Sequence, residues 1–242
     1  MTSRARLVAI LALGALAQVA VFFIFSEPPA RPLLGDEVRY HAEARVLLAG
    51  GDVPHDFFWP PFHARFVAGL LGVSGGSLLG PYVVQGALVL LSGLLLRGLL
   101  RGAGAGEVAA DLAAGLFLVD PQLQFFALSL WPETLHLALL LLGTALLATG
   151  RTFGAGAVFG ASLLVKSLLL PFLPVLALVA ACTGRPGFRE GLRRAALLGL
   201  GVFVTAGAVS VRNGLVTGTY GIANSGVYNL WVGLEDPTGT AD

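Results

Sequence analysis

Residues 35–51 read GDEVRYHAEARVLLAGG, and they gather Asp36, Glu37, Arg39, Glu43 and Arg45 in a chain that is 56% hydrophobic and only 12% charged. A carboxylate in such a stretch could act as general base on a substrate hydroxyl. If the stretch is helical, Asp36, Arg39, Tyr40 and Glu43 fall at i, i+3, i+4 and i+7 and share a face. A carboxylate, a guanidinium and a phenol on one stripe have the makings of a site. A salt-bridged surface has the same makings. The purely structural reading is that Asp36 caps the helix and Glu37 favours its positive end, together worth about 1 kcal/mol. Arg39 and Arg45 each carry a fork that matches phosphate oxygens, although Arg45 is better placed to reach lipid headgroups.

Two later stretches carry similar groups. DPQLQFFALSLWPETLHL holds Asp120 and Glu133, which at membrane depth need either a purpose or water around them. Glu133 follows Pro132, where it could simply start a helix, and His136 one turn on reads as a hydrogen-bonded interface residue. Lys166, the only lysine, stands between LLV and SLLL and could pair with a lipid phosphate, with Asp120 or with Glu133. VRNGLVTGTYGIANSGVYNLWVGLEDPTG is rich in Gly, Asn and Ser, with Tyr220, Tyr228 and Trp231 interspersed, a composition suited to hydrogen-bonding and stacking on a sugar. Tyr and Trp also settle at membrane interfaces for no catalytic reason. Arg212 stands at the outer end of an apolar run, against the positive-inside bias, which makes it a phosphate-binding candidate. His41, His55 and His63 with Asp52 and Asp56 could assemble a divalent-metal site, but their spacing matches no compact ligand motif.

The elements that must position these residues are membrane helices. Mean hydropathy is +0.82. Several apolar runs approach or exceed the roughly 18 residues read as membrane-spanning. A net charge of +1 says nothing about nucleic acid, and no basic run with interleaved aromatics suggests such a partner, so none is expected. The single cysteine, Cys182, excludes an intrachain disulfide and a cysteine-based metal site.

Runs near 7–25, 79–97, 108–119, 134–149, 153–165, 168–182 and 195–211 predict an all-α polytopic protein of about seven spans in a single domain over 1–242. The first run follows a basic head and is longer than a signal-peptide core, so it reads as a retained span. Arg4 and Arg6, Arg97 and Arg101, Arg151, and the loop RPGFREGLRR mark the cytoplasmic side. Parity closes if 153–182 is a hairpin of two short spans turning near Lys166 and Ser167. Residues 26–78, 120–133 and 212–242 then lie outside, and 26–78 is expected to hold short amphipathic helices, with Asp36 near the N-cap of the first. Gly156 and Gly160 have the spacing of closely packed spans.

Taken in order, GDEVRYHAEARVLLAGG with the following WPPF, then DPQLQFFALSLWPETLHLALLLL, then VRNGLVTGTYGIANSGVYNLWVGLEDPTG resemble three passages of the GT-C superfamily of membrane glycosyltransferases. The likeness is to the protein-mannosyltransferase and aminoarabinose-transferase branch. Members of that branch are longer, and the resemblance covers the N-terminal part of the usual family length. It implies inverting transfer of a sugar from a polyprenyl-phosphate carrier to a lipid, glycan or protein acceptor, on the outer face of the inner (plasma) membrane. Asp36 would be the base, and Glu37 would position the acceptor or a metal. Arg39, Lys166 and Arg212 would be candidates to hold the leaving phosphate. Tyr40, Asp120, Glu133, Asn213, Asn224 and Asn229 would line the substrates. No cofactor is required by the resemblance, although some members use a divalent cation. Two rival readings are a transporter or flippase-like protein for an amphiphilic lipid, and a GT-C-like scaffold without activity. A transporter should carry its ionisable groups near the bilayer midplane, whereas here nearly all fall in outer segments.

Overall fold

The computed structural model describes residues 2–25, 32–53, 59–183 and 187–223, and these form helices and no strands. They fall into two compact units, Met1–Val53 with Ala64–Gly150, and Pro54–His63 with Arg151–Asp242.

The first unit contains α1 (Ser3–Phe25), α2 (Asp36–Leu48), α3 (Phe62–Val73, all but its first two residues), α4 (Leu79–Gly102), α5 (Glu107–Val119), α6 (Pro121–Ala127) and α7 (Glu133–Ala148). Its geometry has two ends. At one, the start of α1, the end of α4 and the start of α5 meet through ion pairs of Arg6 with Glu107 and Asp111, of Arg97 with Asp111, and of Arg101 with Glu107. At the other, Ala44 of α2, Val67, Ala68 and Leu71 of α3, Tyr82 of α4, and Leu128 and Leu130 form a buried apolar cluster, with Val21 and Phe22 of α1 packed against it. Along α4, Tyr82 and Arg101 are nineteen residues apart, or about 28 Å at 1.5 Å per residue. That is close to the thickness of a bilayer's hydrocarbon core. α5 and α6 return the chain from the ion-paired end, and α7 runs back packed along α4.

The second unit contains α8 (Thr152–Val165), a 3-10 turn (Ser167–Phe172), α9 (Leu173–Cys182), α10 (Phe188–Val202), a π-helical turn (Phe203–Gly207) and α11 (Ala208–Thr217). α10, the π turn and α11 run without a break as one helix of 30 residues. α8 packs on α10 backbone to backbone. A Cβ at Gly156 would overlap the Leu198 carbonyl, and one at Gly160 would overlap the Thr205 hydroxyl. The small-residue spacing seen in the sequence is therefore a contact surface.

All seven apolar runs lie in helix, but length and composition single out three candidate spans among the described residues: α1, α4 and Phe188–Thr217. The expected count of seven is not confirmed by this criterion. The remaining runs form helices of 10 to 16 residues. Even the longest of them reaches only about 24 Å. Helix α8 does end where the sequence predicts a turn, with Lys166 in extended backbone (φ −151°, ψ 120°). Arg212 is not at the end of its helix, which continues to Thr217.

Candidate active site where α2 meets the α6–α7 turn

Gly35, not Asp36, occupies the N-cap of α2, at φ 53° and ψ −127°. A side chain is strained there, so glycine sets the direction in which the helix leaves the preceding strand of loop. Asp36 becomes the first helical residue and is exposed.

Glu37 behaves differently. It is 1% exposed. Its Oε2 accepts the backbone N–H of Leu34 at 3.1 Å, and its Oε1 accepts that of Leu130 at 2.7 Å. The buried stripe of α2 runs through Glu37, Tyr40 and Ala44. Of the four residues that helical spacing puts on one face, only Tyr40 belongs to that stripe. Asp36, Arg39 and Glu43 flank it, with Arg39 Nε donating to Glu43 Oε1 at 2.8 Å.

Tyr40 is 2% exposed. Burial drives its phenol well above the usual range, and the negative charges of Asp36, Glu133 and Glu43 push the same way against Arg39. Asp36 and Glu133, which are far apart in the chain, thus act on one phenol. Glu133 opens α7, as Pro132 predicts, and is half-buried. His41, on the other side of α2, is held below its ordinary value by burial and by Arg45.

The turn that receives Glu37 is itself held from α4. Gln85, fully buried, donates from Nε2 to the Ser129 carbonyl, and its Oε1 accepts the Thr134 hydroxyl at 2.7 Å. Gln85 and Thr134 were not among the residues singled out by sequence. The one available signal was a glutamine inside the apolar run PYVVQGALVLL. Trp131, in the same turn, packs edge-on to Phe125 at 6.1 Å and tilted against Phe126 at 5.5 Å. Its ring lies beside Gly35, next to the exposed Asp36.

The remaining candidates are dispersed. Asp120 caps α6, accepting the Leu123 N–H at 3.0 Å, and is exposed. His136 is buried in α7. In the second unit Asn213 is 2% exposed and donates to the Gly221 carbonyl at 2.9 Å, which fastens the chain after α11. Arg212 beside it is exposed. The same unit encloses a largely apolar cavity of about 760 Å³ lined by Ser167, Leu170, Leu198, Gly199, Phe203 and Tyr220, among others. Part of its wall is the π turn, a distortion frequent at functional sites. Lys166 precedes the lining residue Ser167. Asn224 and Asn229 lie outside the described residues, as do His55 and Asp56 of the candidate metal set. Among the described residues no three His, Cys, Asp or Glu side chains gather as metal ligands.

Comparison with protein-family models, with curated proteins and with solved structures gave no match.

Proposed function

We propose that this chain is an inverting glycosyltransferase of the GT-C type that moves a sugar from a polyprenyl-phosphate carrier to an acceptor hydroxyl. The observation that carries the reading is the exposed Asp36 carboxylate. It stands at the start of α2 between the Gly35 N-cap and the buried Glu37, and its charge, like that of Glu133, raises the Tyr40 phenol. A base held at one place on an outer surface suits proton removal from an acceptor hydroxyl. In the step, the acceptor oxygen forms a bond to the anomeric carbon while the bond from that carbon to the carrier phosphate breaks. The proton passes to Asp36 and the electron pair leaves on the phosphate. Glu37, with both oxygens accepting backbone N–H groups, serves as a positioning residue.

The lipid part of the donor finds support in the second unit. Its 760 Å³ cavity is largely apolar and has Arg212 and Lys166 near it in sequence, cations suited to a leaving phosphate. The same cavity is what favours a second reading, a protein that binds an amphiphilic lipid without transferring from it.

We further propose that the shorter helices also cross or enter the bilayer, with local thinning of the bilayer or in pairs, which gives a count near seven. Support comes from the first unit, where the arginine-rich end and the Asp36 end of α4 are about 28 Å apart. The arginines mark the cytoplasmic face of a bacterial inner membrane in this reading, and Asp36 lies outside.

A transfer assay with radiolabelled polyprenyl-phosphate sugars in membranes decides between the readings. Asp36→Asn should lose about 10²-fold or more of the transfer rate, with membrane insertion and carrier binding unchanged. Full transfer by that variant would remove Asp36 as base. Carrier binding with no transfer by the wild-type protein would favour the second reading.

A further inference from the structure

The opposite end of the first unit carries a second feature that the transfer reading does not use. An apolar groove of about 370 Å³ runs between α1 and α5, lined by Ile10, Leu13, Leu112, Gly115 and Leu116, and Arg6 and Asp111 form its polar end. From Asp111 to Val119 it follows α5 for about 12 Å. Its rim is strongly apolar: Leu112 is 63% exposed and Leu116 72%. A cluster of charges adjoins the polar end.

In that cluster each carboxylate oxygen accepts from a guanidinium. Asp111 Oδ2 accepts from Arg6 and Oδ1 from Arg97, both at 2.6 Å. Glu107 Oε2 accepts from Arg6 at 2.6 Å and Oε1 from Arg101 at 2.5 Å. Three guanidiniums against two carboxylates leave one positive charge in excess. Arg4, exposed and forming no ion pair among the described residues, adds another. Arg101 spends Nη1 on Glu107, and its other nitrogens have no protein acceptor among the described residues. An apolar groove open to the side, whose Arg6 end is joined through Glu107 to Arg101 and follows Arg4 by two residues in α1, is complementary to one molecule holding a phosphate anion next to a hydrocarbon chain.

We propose that the α1–α5 groove is a binding site for an anionic phospholipid, with one acyl chain along Leu13, Leu112 and Leu116 and the phosphate against Arg101 and Arg4. The proposal is independent of the transferase reading, because it concerns lipid retention at the arginine-rich end and its readout is not sugar transfer.

The test uses the full chain, delipidated in a neutral detergent, with thermal unfolding followed as dioleoyl-phosphatidylglycerol or dioleoyl-phosphatidylcholine is titrated in. Phosphatidylglycerol should raise the midpoint by about 5 °C at saturation and phosphatidylcholine by clearly less. Two variants separate groove from charge. Gly115 has open space where a side chain would begin, so Gly115→Phe fills the groove without disturbing packing. It should weaken the apparent affinity for phosphatidylglycerol about tenfold, a loss of roughly 1.4 kcal/mol. Arg4→Gln with Arg101→Gln should abolish the preference for phosphatidylglycerol over phosphatidylcholine. Equal shifts for the two lipids in the wild-type chain would overturn the proposal. So would an unchanged preference in the double arginine variant, or an equal shift from glycerol 3-phosphate, which has the anion and no acyl chain.

Discussion

Glu37 Oε1 accepts the backbone N–H of Leu130 at 2.7 Å, joining the start of α2 to a turn 93 residues further along the chain. A charge-assisted bond in a buried place is worth about 1.5–3 kcal/mol, and its loss leaves the Leu130 N–H unsatisfied. Glu37→Ala should therefore destabilise the protein by about 3 kcal/mol in detergent unfolding. Amide exchange at Leu130 should rise with it. Unaltered exchange there would mean the turn is held without Glu37.

Tyr40 gives a spectroscopic handle on the same site. Its phenol is raised by burial first and then by Asp36, Glu133 and Glu43. An ordinary tyrosine ionises near pH ~10. A folded value above the unfolded one means that Tyr40 contributes stability below the unfolded value and loses it as pH rises further. In an alkaline titration read by tyrosinate absorbance, Tyr40→Phe should remove a component that titrates later than an ordinary tyrosine. Loss of an ordinary component instead would place Tyr40 in contact with solvent.

The α8–α10 packing makes a sharp pair of predictions. At Gly156 an added methyl meets the Leu198 backbone, which no rotamer change relieves. Gly156→Ala should cost about 3 kcal/mol, at the upper end for overpacking. Gly98, in α4, has open space at the same position. Gly98→Ala should stabilise by about 0.5–1 kcal/mol through helix propensity. Unfolding midpoints that move in the same direction in both variants would contradict the close approach of α8 and α10.

The apolar cavity of the second unit can be tested by filling it. Gly199 lines it and has nothing within contact distance of an added side chain. Gly199→Phe should weaken lipid-carrier binding about tenfold while leaving the fold intact, and Arg212→Ala should weaken it through the phosphate. Carrier affinity unchanged in both variants would separate the cavity and Arg212 from the donor.

Much of this architecture was legible in the sequence because apolar periodicity reports burial directly. Every apolar run became helix, α2 and α3 appeared within 26–78, Pro132 marked the start of α7, and α8 ended at Lys166. A count of seven spans is not confirmed, since three helices among the described residues are long and apolar enough to cross a membrane. Hydropathy adds up along a run, whereas crossing depends on helix length, and α5, α7, α8 and α9 are short. Spacing put Asp36, Arg39, Tyr40 and Glu43 on one face of α2, but could not tell that Glu37 would turn inward. A carboxylate is an improbable core residue until two backbone donors are placed around it.

By itself, then, the sequence determined the helical class, the presence of runs long and apolar enough to cross a membrane, and the gathering of carboxylates in GDEVRYHAEARVLLAGG, since all three follow from local composition and period. Only the tertiary structure decided that Asp36 is exposed while its neighbour Glu37 is sealed in, and that Gln85 and Thr134 hold the turn between them. Those assignments depend on hydrogen bonds between segments tens of residues apart, Glu37 with Leu130 and Gln85 with Ser129. Local spacing carries no record of such pairings, because it is satisfaction of buried donors and acceptors in three dimensions that selects them.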